Sequence, residues 1–200
     1  MMHHRLTPPE RDAARCCGSS VGALARRRTA DGGGWEYLLI GRAWWPIGWA
    51  PVAGHIWDAH ANVLSALIAE LREEARVTLA RASLLFTADL GNLCQAPPSI
   101  RHGHRWWVYA VEVTGTPAAD MVETTGARWV PAGELQRMAD VTVAHALAGH
   151  HARDLAPTAL EAVWVELMVR AGAITATPEA RVAVARLYST PPDEEWIPTT

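Results

Sequence analysis

The sequence predicts a single α/β domain carrying extra helices at its carboxy-terminal end. Three observations point there. Short runs rich in Val, Trp and Tyr read as strands. Between them lies a strongly periodic segment, with Val63, Leu64, Leu67, Ile68 and Leu71 at helical spacing and carboxylates on another face. The 200 residues suffice for one well-buried core with attached elements.

Taken in order, Thr7-Pro8-Pro9-Glu10 reads as a capping box and predicts a short helix to about Arg15, ended by Gly18. Residues 20–25 and 36–40 are predicted strands of a hairpin, joined through Arg26-Arg27-Arg28 and the flexible Asp31-Gly32-Gly33-Gly34. From 41 to 54 the Trp, Pro and Gly content predicts an ordered, aromatic-walled loop. A helix follows over 62–76, then strands at 83–87, 106–113 and 128–130, and a helix starting at Pro131. Thr158-x-x-Glu161 is read as the opening of an amphipathic helix with Leu160, Val163, Trp164, Leu167 and Met168 on one stripe, and Thr177-Pro178 as the opening of a shorter one. The expected organisation is an extension over 1–18, the main domain over 19–155, helices packed on it over 156–190, and a frayed tail over 191–200.

Half of the residues are apolar, a fifth are charged and the formal net charge is −3. No basic footprint marks a long polyanion as partner, whereas a small phosphate-bearing molecule fits. All 18 basic residues are Arg, so contacts to phosphate fall to guanidinium forks or backbone amides. Cys16, Cys17 and Cys94 are an odd set with no repeated spacing, which suits a reducing compartment. No apolar run approaches the roughly 18–20 residues that span a bilayer, and no secretory signal is visible, so a cytoplasmic protein without a membrane partner is expected.

Glu70, Glu73 and Glu74 stand at i, i+3 and i+4 and share one helix face. Each like-charge pair at that spacing costs a few tenths of a kcal/mol, a penalty whose sign a bound divalent cation reverses. Carboxylate oxygens are the preferred ligands of Mg²⁺ and Mn²⁺, and such a metal points to phosphoryl chemistry. The plain alternative is a solvated acidic helix face.

Gly54-His55-Ile56, the loop behind it and Ala69-Glu70-Leu71-Arg72-Glu73-Glu74-Ala75-Arg76-Val77 resemble the Nudix box, G-x5-E-x7-R-E-U-x-E-E-x-G-U. The resemblance extends to the strand end Leu38-Leu39-Ile40-Gly41-Arg42, to Pro51-Val52-Ala53-Gly54-His55 and to Ala127-Arg128-Trp129-Val130-Pro131, covering roughly 19–139. It implies the Nudix fold, a mixed β-sheet sandwiched between α-helices, with Glu70, Glu73 and Glu74 on the metal-binding positions. The implied activity is metal-assisted hydrolysis of a pyrophosphate bond in a nucleoside diphosphate linked to some group X. The chain departs from the box in four places. The stretch from Gly54 to the helix is one residue longer; the first glutamate is replaced by His60 or Ala61, depending on the end counted from; Ala69 stands for the arginine and Arg76 for the final glycine.

By the same resemblance, Glu123 is expected as a further catalytic glutamate, with Glu112 weaker because a mid-strand position can face away. Arg42, Trp44 and Gly54 are expected on the substrate side, Arg42 for phosphate. Trp44, Trp45, Trp57 and Trp106 are candidate platforms for a nucleobase, against the commoner use of Trp as a core anchor. His102 and His104 with Cys94, or His145, His150 and His151, match no standard zinc spacing, and no structural zinc is expected. Two functions remain: a Mg²⁺-dependent hydrolase, favoured by the intact glutamates, and an impaired Nudix module that binds a nucleotide for regulation. The stripe from Leu160 to Met168 and the Trp-rich surface suggest a homodimer. DNA binding through the last helices is disfavoured by their few basic residues.

Overall fold

The computed structural model describes residues 16–57, 60–95 and 103–191. The helix expected before Arg15, His102 and most of the tail lie outside these. The strands are β1 (Ser19–Arg28), β2 (Trp35–Arg42), β3 (Trp49–Ala50), β4 (Val52–His55), β5 (Thr78–Leu90), β6 (His104–Thr114) and β7 (Thr124–Pro131). The helices are α1 (Val63–Ala75), α2 (Ala132–Leu147), α3 (Ala162–Arg170) and α4 (Pro178–Ser189). One mixed sheet runs β3-β2-β1-β6-β5, with β7 beside β2 and β4 beside β1. β1 is its axis. It pairs antiparallel with β4 through Ser20 to Ala23, antiparallel with β2 through Arg26 to Arg28, and parallel with β6 along Ser19 to Ala25.

Because successive strand side chains alternate between faces, β1 and β2 supply two cores. Val21, Ala23, Ala25, Leu38 and Ile40 point to one face and meet Ala66, Leu67, Leu71 and Ala75 of α1. Leu24, Tyr37 and Leu39 point to the other and meet α2, α3 and α4, around the buried Trp164. A β-carbon on Gly22 would stand 2.6 Å from the indole of Trp164, so that glycine is what lets the ring lie on the sheet. The architecture is the expected sheet sandwiched between helices. Among the described residues, no helix is long and apolar enough to cross a membrane.

Several elements differ from expectation for identifiable reasons. The end of the aromatic loop is ordered as β3 and β4 rather than loop, because β2 and β1 offer open edges to them. The strands at 83–87 and 128–130 extend to 13 and 8 residues, since ladder pairing with β6 and β2 recruits Ala, Gly and Asp positions of weak intrinsic preference. α3 starts at Ala162, not at Thr158, and Glu161 makes no side-chain cap. The backbone before it is held as a strand partner instead: Trp49 N–H donates to Ala159 O (2.8 Å) and Glu161 N–H to Trp49 O (2.8 Å). Leu160, Val163, Trp164, Leu167 and Met168 are all buried within the chain. That stripe is therefore spent on the internal core and does not serve as a homodimer face.

Candidate active site

The site is built on α1 and the strand it covers. Asn62 caps the helix reciprocally, its Oδ1 accepting from Ser65 N–H (2.9 Å) while its own N–H donates to Ser65 Oγ (3.1 Å). A stripe of Leu and Ile was the expected inner face. The helix is instead rotated so that Leu64 and Ile68 are 48% and 44% exposed, while Glu74 is only 6% exposed. Exposing two large apolar side chains in order to bury a carboxylate runs against hydrophobic burial. Such breaches of a local rule are expected where function or strain overrides burial.

Two acids on this face meet β4. Glu74 Oε2 accepts from Ala53 N–H (3.0 Å). The Glu70 carboxylate lies directly on Gly54, in the space that a β-carbon there would fill, so the glycine of the sequence motif is required by contact rather than by backbone dihedral. Burial pushes the Glu70 carboxyl up to about 7, with repulsion from Glu73 and Glu123 adding and His55 and Arg42 opposing. Burial pushes Glu74 up to about 8, with Glu70 next, against Arg42 and the Ala53 amide. Glu73 is exposed at the rim, close enough to act on Glu70.

Glu123 is exposed and faces the same pair from the loop before β7, raising both carboxyls. Its position is fixed by Asp120, whose Oδ1 accepts from the N–H groups of Val122, Glu123 and Thr124, each at 3.0 Å. Glu123 O in turn accepts from Ala43 N–H (3.0 Å), and Val122 O from the Trp44 indole N–H (3.2 Å). The turn thus ties the aromatic loop to the acid it presents. Asp120 was not singled out from sequence, although an Asp opening a turn is a recognisable signal. Glu112, the weaker candidate, lies exposed on β6 opposite Arg81.

Arg42 sits at a bulge in the β2–β7 ladder. Its Nε donates to Pro46 O (2.7 Å) and lies 3.6 Å from Glu161 Oε2. Glu161 is buried, and burial raises its carboxyl against the pull of Arg42 and His104. This acid was also missed, because its spacing from Thr158 mimics a capping box. Arg42 therefore pairs with Glu161 and also acts electrostatically on Glu70 and Glu74.

The tryptophans divide. Trp106 is a core residue, stacked edge-on against Trp164 with its N–H on Asn92 Oδ1 (2.9 Å), and offers no platform. Trp57 is 53% exposed, and Trp44 and Trp45 are half-buried in the loop before β3. Arg76, in the place of the box's last glycine, has φ 55 and ψ 31 and still closes the helix, its N–H reaching Arg72 O and Leu71 O.

No protein-family model matches the chain, and no curated protein matches it. Solved structures do. The NUDIX domain of Shewanella oneidensis NrtR, in its complex with ADP ribose, superposes with a TM-score of 0.56 at 14% identity, over 84% of this chain and 92% of that one. A Caenorhabditis elegans Ap4A hydrolase gives 0.46 at 22% identity, over 61% and 85%, and a MutT/nudix family protein from Enterococcus faecalis 0.48 at 14%, over 66% and 46%. The class is an α/β sandwich with an acidic helix facing a glycine-bearing strand. Its fold is the Nudix fold, as the resemblance of the sequence implied.

Proposed function

We propose that this chain is a Nudix-type hydrolase that cleaves the pyrophosphate bond of a nucleoside diphosphate linked to X, with Mg²⁺ or Mn²⁺ as cofactor. The observation that carries the reading is the burial of Glu70 and Glu74 against Gly54 and Ala53, with Glu73 and Glu123 beside them and Arg42 as the neighbouring cation. The donor set, all carboxylate oxygen, fits a hard divalent ion. Glu70, Glu73 and Glu74 would hold it, and when bound it supplies charge neutralisation for the phosphates and an acidified water.

The remaining work falls to residues of the chain. Arg42, its Nε turned to Pro46, presents its guanidinium beside the acids and orients a phosphate. Glu123 takes a proton from attacking water, held in place by the Asp120 turn. Trp44 walls the substrate side. In this reading residues 19–155 form the catalytic unit and 156–190 brace it through Glu161, the compartment is cytoplasmic, and the partner is a small nucleotide.

The test is release of nucleoside monophosphate from a panel of nucleoside diphosphate derivatives, ADP-ribose included, with millimolar Mg²⁺. Turnover should vanish with chelator and fall on the order of 10²–10³-fold in Glu74→Gln. Tight binding of one panel member without turnover would replace the hydrolase by a nucleotide-binding module.

A further inference from the structure

A second group of side chains lies at one end of the sheet, where the topology brings the starts of β1 and β6 against the ends of β4 and β5. Cys16 precedes β1, His55 ends β4, Cys94 follows β5 and His104 opens β6. One donor atom from each of these four lies within 4.8 Å of all the others. Their sequence separations match no zinc motif, and the fold alone assembles them. We propose that Cys16, His55, Cys94 and His104 form a four-coordinate site for a structural Zn²⁺ ion.

The spacing is that of a tetrahedral centre. Zinc bonds of about 2.3 Å to sulfur and 2.0–2.1 Å to nitrogen place two nitrogen ligands about 3.3 Å apart and a sulfur and a nitrogen about 3.5 Å apart. Here His55 Nε2 and His104 Nε2 are 3.3 Å apart, and Cys16 Sγ is 3.4 Å from His55 Nε2 and 2.9 Å from His104 Nε2. Of these three distances the last must open, by about 0.6 Å, while the Cys94 donor lies within 4.8 Å of the other three.

The surroundings orient the donors. His104 Nδ1 lies 3.0 Å from Asn92 O, a carbonyl that can only accept, so Nδ1 carries the proton and Nε2 presents its lone pair to the centre. Asn92 is itself buried and anchored by the Trp106 indole. Gly18 N–H donates to Cys16 Sγ (3.2 Å), a bond that favours the thiolate. Gly18 takes the required turn with φ +69. Thiolate and imidazole suit zinc, unlike the all-oxygen carboxylate site one residue away at Gly54. Binding releases the two thiol protons to solvent and changes no oxidation state. The ion would fasten the segment before β1 to the strand end that seats Glu70. His145, His150 and His151 stay apart from it at the end of α2, engaged with one another and with backbone.

The experiment is metal analysis of full-length protein purified without chelator and with any affinity tag removed, followed by exchange with Co²⁺ under reducing conditions. About one zinc per chain is expected. The cobalt form should show thiolate-to-metal charge transfer and the visible bands of a tetrahedral centre. Cys94→Ser should lose both, whereas Cys17→Ser should keep both, since Cys17, whose Sγ donates to Ser19 O (3.4 Å), lies outside the cluster. Absence of zinc together with no cobalt spectrum in the reduced wild-type protein overturns the proposal. So does equal metal loss in the two variants, or a Cys16–Cys94 disulfide found by peptide mapping of fresh protein. None of these readouts depends on hydrolase activity.

Discussion

The carboxylate site and the Cys/His cluster stand back to back on β4, separated by a single residue step from Gly54 to His55, yet they are encoded differently. The carboxylates come from one helix, at i, i+3 and i+4, so α-helical geometry alone puts them on one face. The Cys and His donors come from four segments up to 88 residues apart, and only sheet pairing makes them neighbours. The two also differ in chemistry: carboxylate oxygens crowded on one helix face against thiol and imidazole donors, of which Cys16 and His104 are oriented by backbone hydrogen bonds. A local motif specifies its own geometry, whereas a non-local one depends on the whole topology.

The largest separable effect should come from Gly54→Ala. The added β-carbon occupies the place of the Glu70 carboxylate, and displacement of a reacting group by about 1 Å can cost on the order of 10²-fold in rate. Hydrolysis should fall by about that factor while zinc content stays unchanged. Loss of zinc in this variant would mean that the two sites are not separable.

A second effect is on stability. The raised carboxyls of Glu70 and Glu74 mean that the folded protein binds protons more tightly than the unfolded chain does. Their stabilising contribution is fully present below the unfolded value of 4.5 and is lost as pH rises through about 7 and about 8. In protein free of divalent cations at the carboxylates, Tm should therefore decline across that window. Mg²⁺ or Mn²⁺ should restore it at the alkaline end, and Glu74→Gln should flatten the decline. A Tm profile rising across the window would contradict the burial of these acids.

The smallest effect tests the carboxy-terminal end of the helix that carries the carboxylates, far along β6 from the Cys/His cluster. Arg76 holds a left-handed conformation that costs a non-glycine residue roughly 1–2 kcal/mol. Arg76→Gly should recover up to about 1 kcal/mol after the entropic cost of glycine, read as a higher denaturant midpoint, and leave zinc content unchanged. A destabilised variant would show that the Arg76 side chain contributes more than its backbone strain costs.

The sequence by itself determined the elements whose signals are local. The periodicity of 62–76, the β-prone run of 106–113 and the Thr177-Pro178 helix start all correspond to elements of the fold, and the three glutamates with Gly54 identified its type. Tertiary structure decided the rest. It turned α1 so that Glu74 rather than Leu64 and Ile68 faces inward, because the sheet surface beneath includes an amide and a bare glycine for the acids. It converted the apparent cap at Thr158-x-x-Glu161 into a strand partner of Trp49 and so delivered Glu161 to Arg42. It also gathered Cys16, His55, Cys94 and His104, whose order in the chain carries no period, because contacts across a sheet depend on register and strand order, which no local spacing encodes.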